Sequence, residues 1–151
     1  MKDPWSLLDQ ARERGREMKL PFAGALLPGE AHQLLRSVPE ARIIDVRTQA
    51  EWDWVGRIPG AVMIEWNAWP SGERNPRFIE QLKARVPDTS APTLFICRSG
   101  ARSHSAAAAA AASGYANAYN VLEGFEGRKD EHGHRNTVAG WRAAGLPWEQ
   151  S

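Results

Sequence analysis

The stretch Thr93–Ser113, "TLFICRSGARSHSAAAAAAAS", constrains the fold of this chain more than any other. An apolar run suited to a strand ends at Cys97. Four residues later an alanine-rich segment begins, and alanine has the strongest intrinsic preference for helix. Gly114 stands where a helix C-terminal cap is expected. The chain must therefore pass from strand to helix within Arg98–Ala101, and Gly100 supplies the backbone freedom such a turn needs. Small side chains let a helix lie close against a sheet, so this unit reads as half of a βαβ crossover.

The rest of the sequence repeats the alternation. "AGALL" is a weak strand, followed by a helix over "EAHQLLRS". "ARIIDV" is a stronger strand ending at Asp45, and "QAEWDWV" forms a short helical turn closed by Gly56. "RIPGAVMIEW" carries a third apolar run, "NPRFIEQLKARV" a helix, "PTLFIC" a fourth strand and "ANAYNVLEG" a fifth; "TVAGWRAAGLP" is expected to form a last helix. Strands alternating with helices predict an α/β fold: a mainly parallel five-stranded sheet covered by helices on both faces. The N-terminal residues 1–19 read as a helical extension capped by Asp3 with Pro4 in its first turn, Trp5, Leu8 and Ala11 sharing one face; residues 20–151 form the main domain. The polar insertion at 128–137, "RKDEHGHRNT", reads as a surface loop, and its histidines lack the partners and spacing of a metal site.

With 151 residues, 42% hydrophobic and 25% charged, the chain fits one core, and its formal charge of +1 gives no basis for generic binding to nucleic acid or membrane. No apolar run is long enough for a membrane span, and the N-terminus lacks a secretory h-region, so a cytoplasmic location is expected. The single cysteine excludes an internal disulfide and suits a reducing compartment.

In parallel α/β sheets, ligands bind beyond the carboxyl ends of the strands, which is where Cys97 falls. A tight loop entering a helix aims its N–H groups inward, and the helix terminus adds positive potential. That cup favours the thiolate, the attacking form of a cysteine. The N–H groups of Arg98, Ser99, Gly100, Ala101, Arg102 and Ser103 are the expected cradle, with the guanidinium groups of Arg98 and Arg102 orienting an anionic substrate. Asp45, at the end of a neighbouring strand, either pairs with Arg102 or satisfies its own loop. The tryptophans read mainly as packing residues, with the pocket mouth the alternative place for Trp66 and Trp69, which follow the third strand.

At these residues the sequence resembles the rhodanese, or sulfurtransferase, homology domain of the single-domain type. "CRSGARS" is similar to that family's active-site loop. "IIDVRTQAEWDWVGRIPGAVMI" resembles its upstream signature through Asp45, Val46, Arg47, Glu51, Gly56, Ile58, Pro59, Gly60 and Ala61. "NVLEGFEG", followed by Trp141 and "GLP", resembles its closing segment. Two departures are Arg57, where the family usually has histidine, and the insertion before Trp141. The resemblance implies a thiosulfate sulfurtransferase: Cys97 takes sulfane sulfur from a small anionic donor and passes it to cyanide, a thiol or a sulfur-carrier protein, without metal or other cofactor. The same fold also serves cysteine-dependent phosphatases and arsenate reductases, which place five residues between cysteine and arginine. Here four separate Cys97 from Arg102, which favours a cup for one sulfur atom. A non-catalytic interaction module is the third alternative. Oligomeric state is not legible in the sequence.

Overall fold

Each predicted apolar run becomes a parallel strand in the computed structural model, which describes residues 3–151. In chain order the elements are α1 (Pro4–Glu17), β1 (Gly24–Leu26), α2 (Pro28–Ser37), β2 (Arg42–Asp45), α3 (Gln49–Trp54), β3 (Val62–Met63), α4 (Phe78–Arg85), β4 (Thr93–Ile96), α5 (Ala101–Ala112) and β5 (Ala118–Val121). The sheet order is β1-β5-β4-β2-β3 and every pairing is parallel. β4 is thus the central strand, and β2 pairs with it in a register that sets Asp45 opposite Ile96. Cys97 follows directly, at the carboxyl edge where the chain order reverses.

Neighbouring residues of β4 face opposite layers, as a strand's two-residue period requires. Phe95 packs with Phe78, Leu82, Ala106 and Ala110, beneath α4 and α5. Leu94 and Ile96 pack with Leu8, Leu26, Leu34 and Trp141, beneath α1 and α2. All four β4 residues are buried, which explains why the run is apolar without alternation. Beyond its first turn α5 packs inward through methyl groups: Ala106, Ala107 and Ala110 have no solvent exposure, and Ser103 is the buried polar residue of the helix.

Asp3 caps α1, its Oδ1 accepting from Trp5 N and Ser6 N at 3.0 Å each, and Pro4 occupies the first turn. The buried face of α1 is Leu7, Leu8, Ala11 and Gly15. Trp5, expected on that face, is instead 69% exposed; it precedes the point where the helix meets β1. Met1 and Lys2 of the N-terminal extension lie outside the described residues.

The last predicted helix, over "TVAGWRAAGLP", does not form, and the segment is a series of turns. Its N–H groups are spent elsewhere. Gly140 N donates to Glu123 Oε1, and Trp141 N and Arg142 N donate to the carbonyls of Gly124 and Phe125. Those bonds tie the segment to the turn after β5 and limit helical bonding to a single i→i−4 turn, Ala144 N to Gly140 O at 3.0 Å. Among the described residues no helix is long and apolar enough to cross a membrane.

Candidate active site

The loop between β4 and α5 closes on the sulfur. Gly100 adopts φ +113°, a conformation that side-chain-bearing residues rarely hold, and as N-cap it provides no side-chain cap for α5. The first-turn N–H groups of that helix have no intrahelical acceptor and stay open to a ligand. Gly100 N donates to Cys97 Sγ at 3.1 Å, and Ser103 Oγ lies 3.2 Å from the same sulfur. Cys97 is a free thiol, 2% exposed, at the bottom of the cup.

The turn after β5 holds the loop from behind. Phe125 N donates to Cys97 O at 2.8 Å, while Glu126 N and Gly127 N donate to Arg98 O at 3.0 and 3.2 Å. Those bonds engage the carbonyls of Cys97 and Arg98 on the side of the β5 turn, and Gly100 N is the loop amide that reaches the sulfur. Gly124 makes the approach feasible: a Cβ there would lie 2.6 Å from Arg98 C and O and from Cys97 O, and φ is +70°. Asn120 on β5 ties the two segments together. Its Nδ2 donates to Gly100 O at 3.2 Å and its Oδ1 accepts from Ser103 Oγ at 2.6 Å.

Asp45 does not pair with Arg102. It is wholly buried and receives Arg47 Nη2 at 2.7 Å and Nε at 3.0 Å. Arg47 in turn lies over the Phe125 ring at 4.2 Å. Asp45 therefore braces the turn that holds Cys97 O, from within its own loop. The partner of Arg102 is Glu51, through Nη1–Oε1 at 2.7 Å and Nη2–Oε2 at 3.0 Å. Burial opposes charge on both groups, yet the paired hydrogen bonds prevail: Glu51 is held below the usual carboxylate range and Arg102 is held above its ordinary value, with the Cys97 sulfur adding to the latter. Glu51 also completes the capping box of α3 with Thr48. That Thr48-x-x-Glu51 spacing was the available sign that Glu51 is fixed in place.

Above the loop opens a cleft of about 830 Å³, lined by Glu51, Trp54, Trp69, Arg98, Glu126 and Arg135 among others. Trp54 and Trp69 are 80% and 68% exposed on its wall, whereas Trp66 is buried against Phe78. Arg98, Ser99 and Ala101 lie at the exposed rim, so Cys97, Gly100 and Ser103 are the predicted residues that converge on the sulfur. The insertion at 128–137 folds around Asp130, whose carboxylate accepts from His134 N, His132 N and Thr137 Oγ1 and is held below its ordinary range by them. The same loop delivers Arg135 to the cleft, braced by its bond to Gly127 O at 2.7 Å. No group of His, Cys, Asp and Glu suited to a metal ion occurs among the described residues.

Comparison with known proteins bears on the fold as a whole. The family model described as "Rhodanese-like domain" matches residues 27–131. A crystal structure of Rv0390 from M. tuberculosis is 43% identical, covers 86% of this chain and 99% of its own, and superposes with a TM-score of 0.79. An uncharacterized protein, RC0915, from Rickettsia conorii is 36% identical over 121 residues, which are 80% of this chain and 92% of that one. A polysulfide-sulfur transferase homodimer from Wolinella succinogenes shares the fold, with 21% identity, a TM-score of 0.57, and coverage of 91% of this chain and 87% of that one.

Proposed function

The chain belongs to the rhodanese-like family, and on that premise we propose that it is a sulfurtransferase carrying sulfane sulfur as a persulfide on Cys97. The observation that supports this reading best is the Gly100 N–H aimed at Cys97 Sγ at 3.1 Å, in a loop whose Cys97 and Arg98 carbonyls are bonded by the turn after β5. Negative charge at that point meets amide donors and the N-terminus of α5. Cys97 gives up its proton to solvent, and the thiolate attacks the outer sulfur of a donor such as thiosulfate. The donor S–S bond breaks, sulfite leaves with the electron pair, and a Cys97 persulfide remains. A nucleophilic acceptor then takes the outer sulfur and regenerates the thiolate.

Arg98 and Arg135 at the cleft wall attract the anionic donor, while Arg102, neutralised by Glu51, shapes the loop more than it binds. A cleft of about 830 Å³ is far larger than thiosulfate requires, and it lies within the range of drug-sized ligand sites, about 300–1,000 Å³. With Trp54 and Trp69 on its wall it suits a bulkier acceptor, either a small-molecule thiol or the tail of a sulfur-carrier protein. A lone thiol working as a nucleophile fits the reducing conditions of the cytoplasm. The loop already closes on the sulfur with four residues before Arg102, which favours sulfur over a tetrahedral phosphate, and p-nitrophenyl phosphate should not be hydrolysed.

Intact mass spectrometry after thiosulfate treatment tests the reading. A gain of one sulfur atom, lost again on adding cyanide and absent from Cys97→Ser, is the expected result. No gain in the parent protein, or the same gain in Cys97→Ser, would exclude a Cys97 persulfide.

A further inference from the structure

Ser103 Oγ has three acceptors in reach, Asn120 Oδ1 at 2.6 Å, Cys97 Sγ at 3.2 Å and Gly100 O at 3.3 Å, and the shortest contact claims its single proton. Gly100 O can only accept, so the Asn120 atom 3.2 Å from it is Nδ2, and Oδ1 must face Ser103. Oδ1 also only accepts, so at 2.6 Å the hydroxyl proton of Ser103 lies between the two oxygens. Serine has a single O–H. With that proton committed to Asn120, Ser103 Oγ turns lone pairs toward Cys97 Sγ at 3.2 Å. A neutral thiol fits there, because its S–H can donate to Oγ. A thiolate does not: either it faces those lone pairs, or the hydroxyl swings round and leaves Oδ1 and Oγ in contact without a proton. Ser103 is wholly buried and Asn120 nearly so, which keeps water from relieving either state.

We propose that Asn120, acting through the Ser103 hydroxyl, opposes negative charge on Cys97 Sγ without opposing it on an added outer sulfur, and thereby favours the loaded persulfide over the free thiolate. The proposal rests on the persulfide reading of Cys97. In a persulfide Sγ is uncharged, and the charge sits on the outer sulfur, about 2.05 Å farther along the S–S bond. Gly100 N–H and the open N-terminus of α5 act in the other sense, since they favour anionic sulfur. The two influences together distinguish where the charge sits as well as whether it is present. Asn120 is a positioning residue: it reaches the sulfur only through Ser103. Discharge of the persulfide makes Sγ the leaving group, and a thiolate opposed in this way leaves more slowly.

The charged groups around the sulfur are Arg98 on the loop, Arg102 on α5, Glu51 on α3, the buried Asp45–Arg47 pair beside β2, and Glu123 and Glu126 on the turn after β5. None is altered by the test. Ser103→Ala adds one more alanine to an alanine helix, so it should fold. The readout is thiolate absorbance against pH in the unloaded protein, as a difference from Cys97→Ser, which is specific because the chain has one cysteine.

The proposal predicts about fivefold more thiolate in Ser103→Ala at a fixed pH below the midpoint, equivalent to one neutral hydrogen bond of about 1 kcal/mol. Asn120→Leu should change it in the same direction, the double variant should add nothing further, and both single variants should discharge persulfide to cyanide faster. Less thiolate in Ser103→Ala would make Ser103 a donor to the thiolate and overturn the proposal, as would no change. Failure of the parent protein to load sulfur would sink the persulfide reading while leaving this titration interpretable.

Discussion

Replacing Glu51 by Gln tests the electrostatic frame of the cup. Glutamine keeps the shape and can still accept from Thr48, so the capping box of α3 survives. What is lost is the charge facing Arg102 across two hydrogen bonds of 2.7 and 3.0 Å. Hydrogen bonds to charged groups contribute about 1.5–3 kcal/mol when shielded. Here the side chains of Arg102 and Glu51 are 24% and 19% exposed, so solvent screening brings the expected loss to about 2 kcal/mol. For a domain of this size that lowers Tm by about 4–8 °C. The pH dependence has a definite sign. Glu51 is held below its ordinary range in the folded protein, so its contribution is complete above the unfolded glutamate value of about 4.3 and is lost as pH falls through the lower folded value. Thermal unfolding of both proteins should show a constant Tm gap between about pH 5.5 and 8 that begins to narrow below about pH 4.3 and shrinks steadily with further acidification. A gap that stays undiminished however far pH falls below the ordinary glutamate range, or no gap near neutrality, would refute the assignment of this stability to the ion pair.

Three other outcomes are expected. Gly124→Ala should reduce thiosulfate:cyanide turnover by an order of magnitude or more with its overall circular dichroism retained, because its Cβ would press on Arg98 and the Cys97 carbonyl at 2.6 Å. Arg98→Ala and Arg135→Ala should each raise KM for thiosulfate several-fold at low ionic strength, with the effect shrinking at high salt; an unchanged salt dependence would remove them from donor capture. We propose that the N-terminal extension folds with the main domain, and Leu8→Ala, in the layer shared with Leu26 and Leu34, should lower stability by about 2–5 kcal/mol in chemical denaturation.

The backbone plan was legible in the sequence because it rests on local rules. Strand runs buried on both faces, an alanine helix and glycine at the turn fixed the sheet edge on which Cys97 lies. Partner choice was harder to read. Asp45 is at the expected sheet edge, but Arg47, two residues on, folds back to claim it and leaves Arg102 to a residue on α3. Asn120 gave no signal either, since an asparagine in a buried strand becomes meaningful only once β5 is known to lie beside β4. The missing last helix fails for the same reason: the N–H groups of Gly140, Trp141 and Arg142 are taken by acceptors in the turn after β5, remote along the chain.

The alanine methyl groups that α5 buries beyond its first turn make that helix a mechanical gauge. Ala110 lies nine residues beyond Ala101, about 13 Å along the axis, and both it and Ala106 are without exposure. Methyl groups have no alternative rotamers with which to absorb an intruding atom. A single added methylene at Ala110 would tilt the rod and displace the far end, where the amides meet the thiol. Loss of turnover from a substitution that far from the chemistry would thus report on straightness and standoff of the helix, with no reacting group removed.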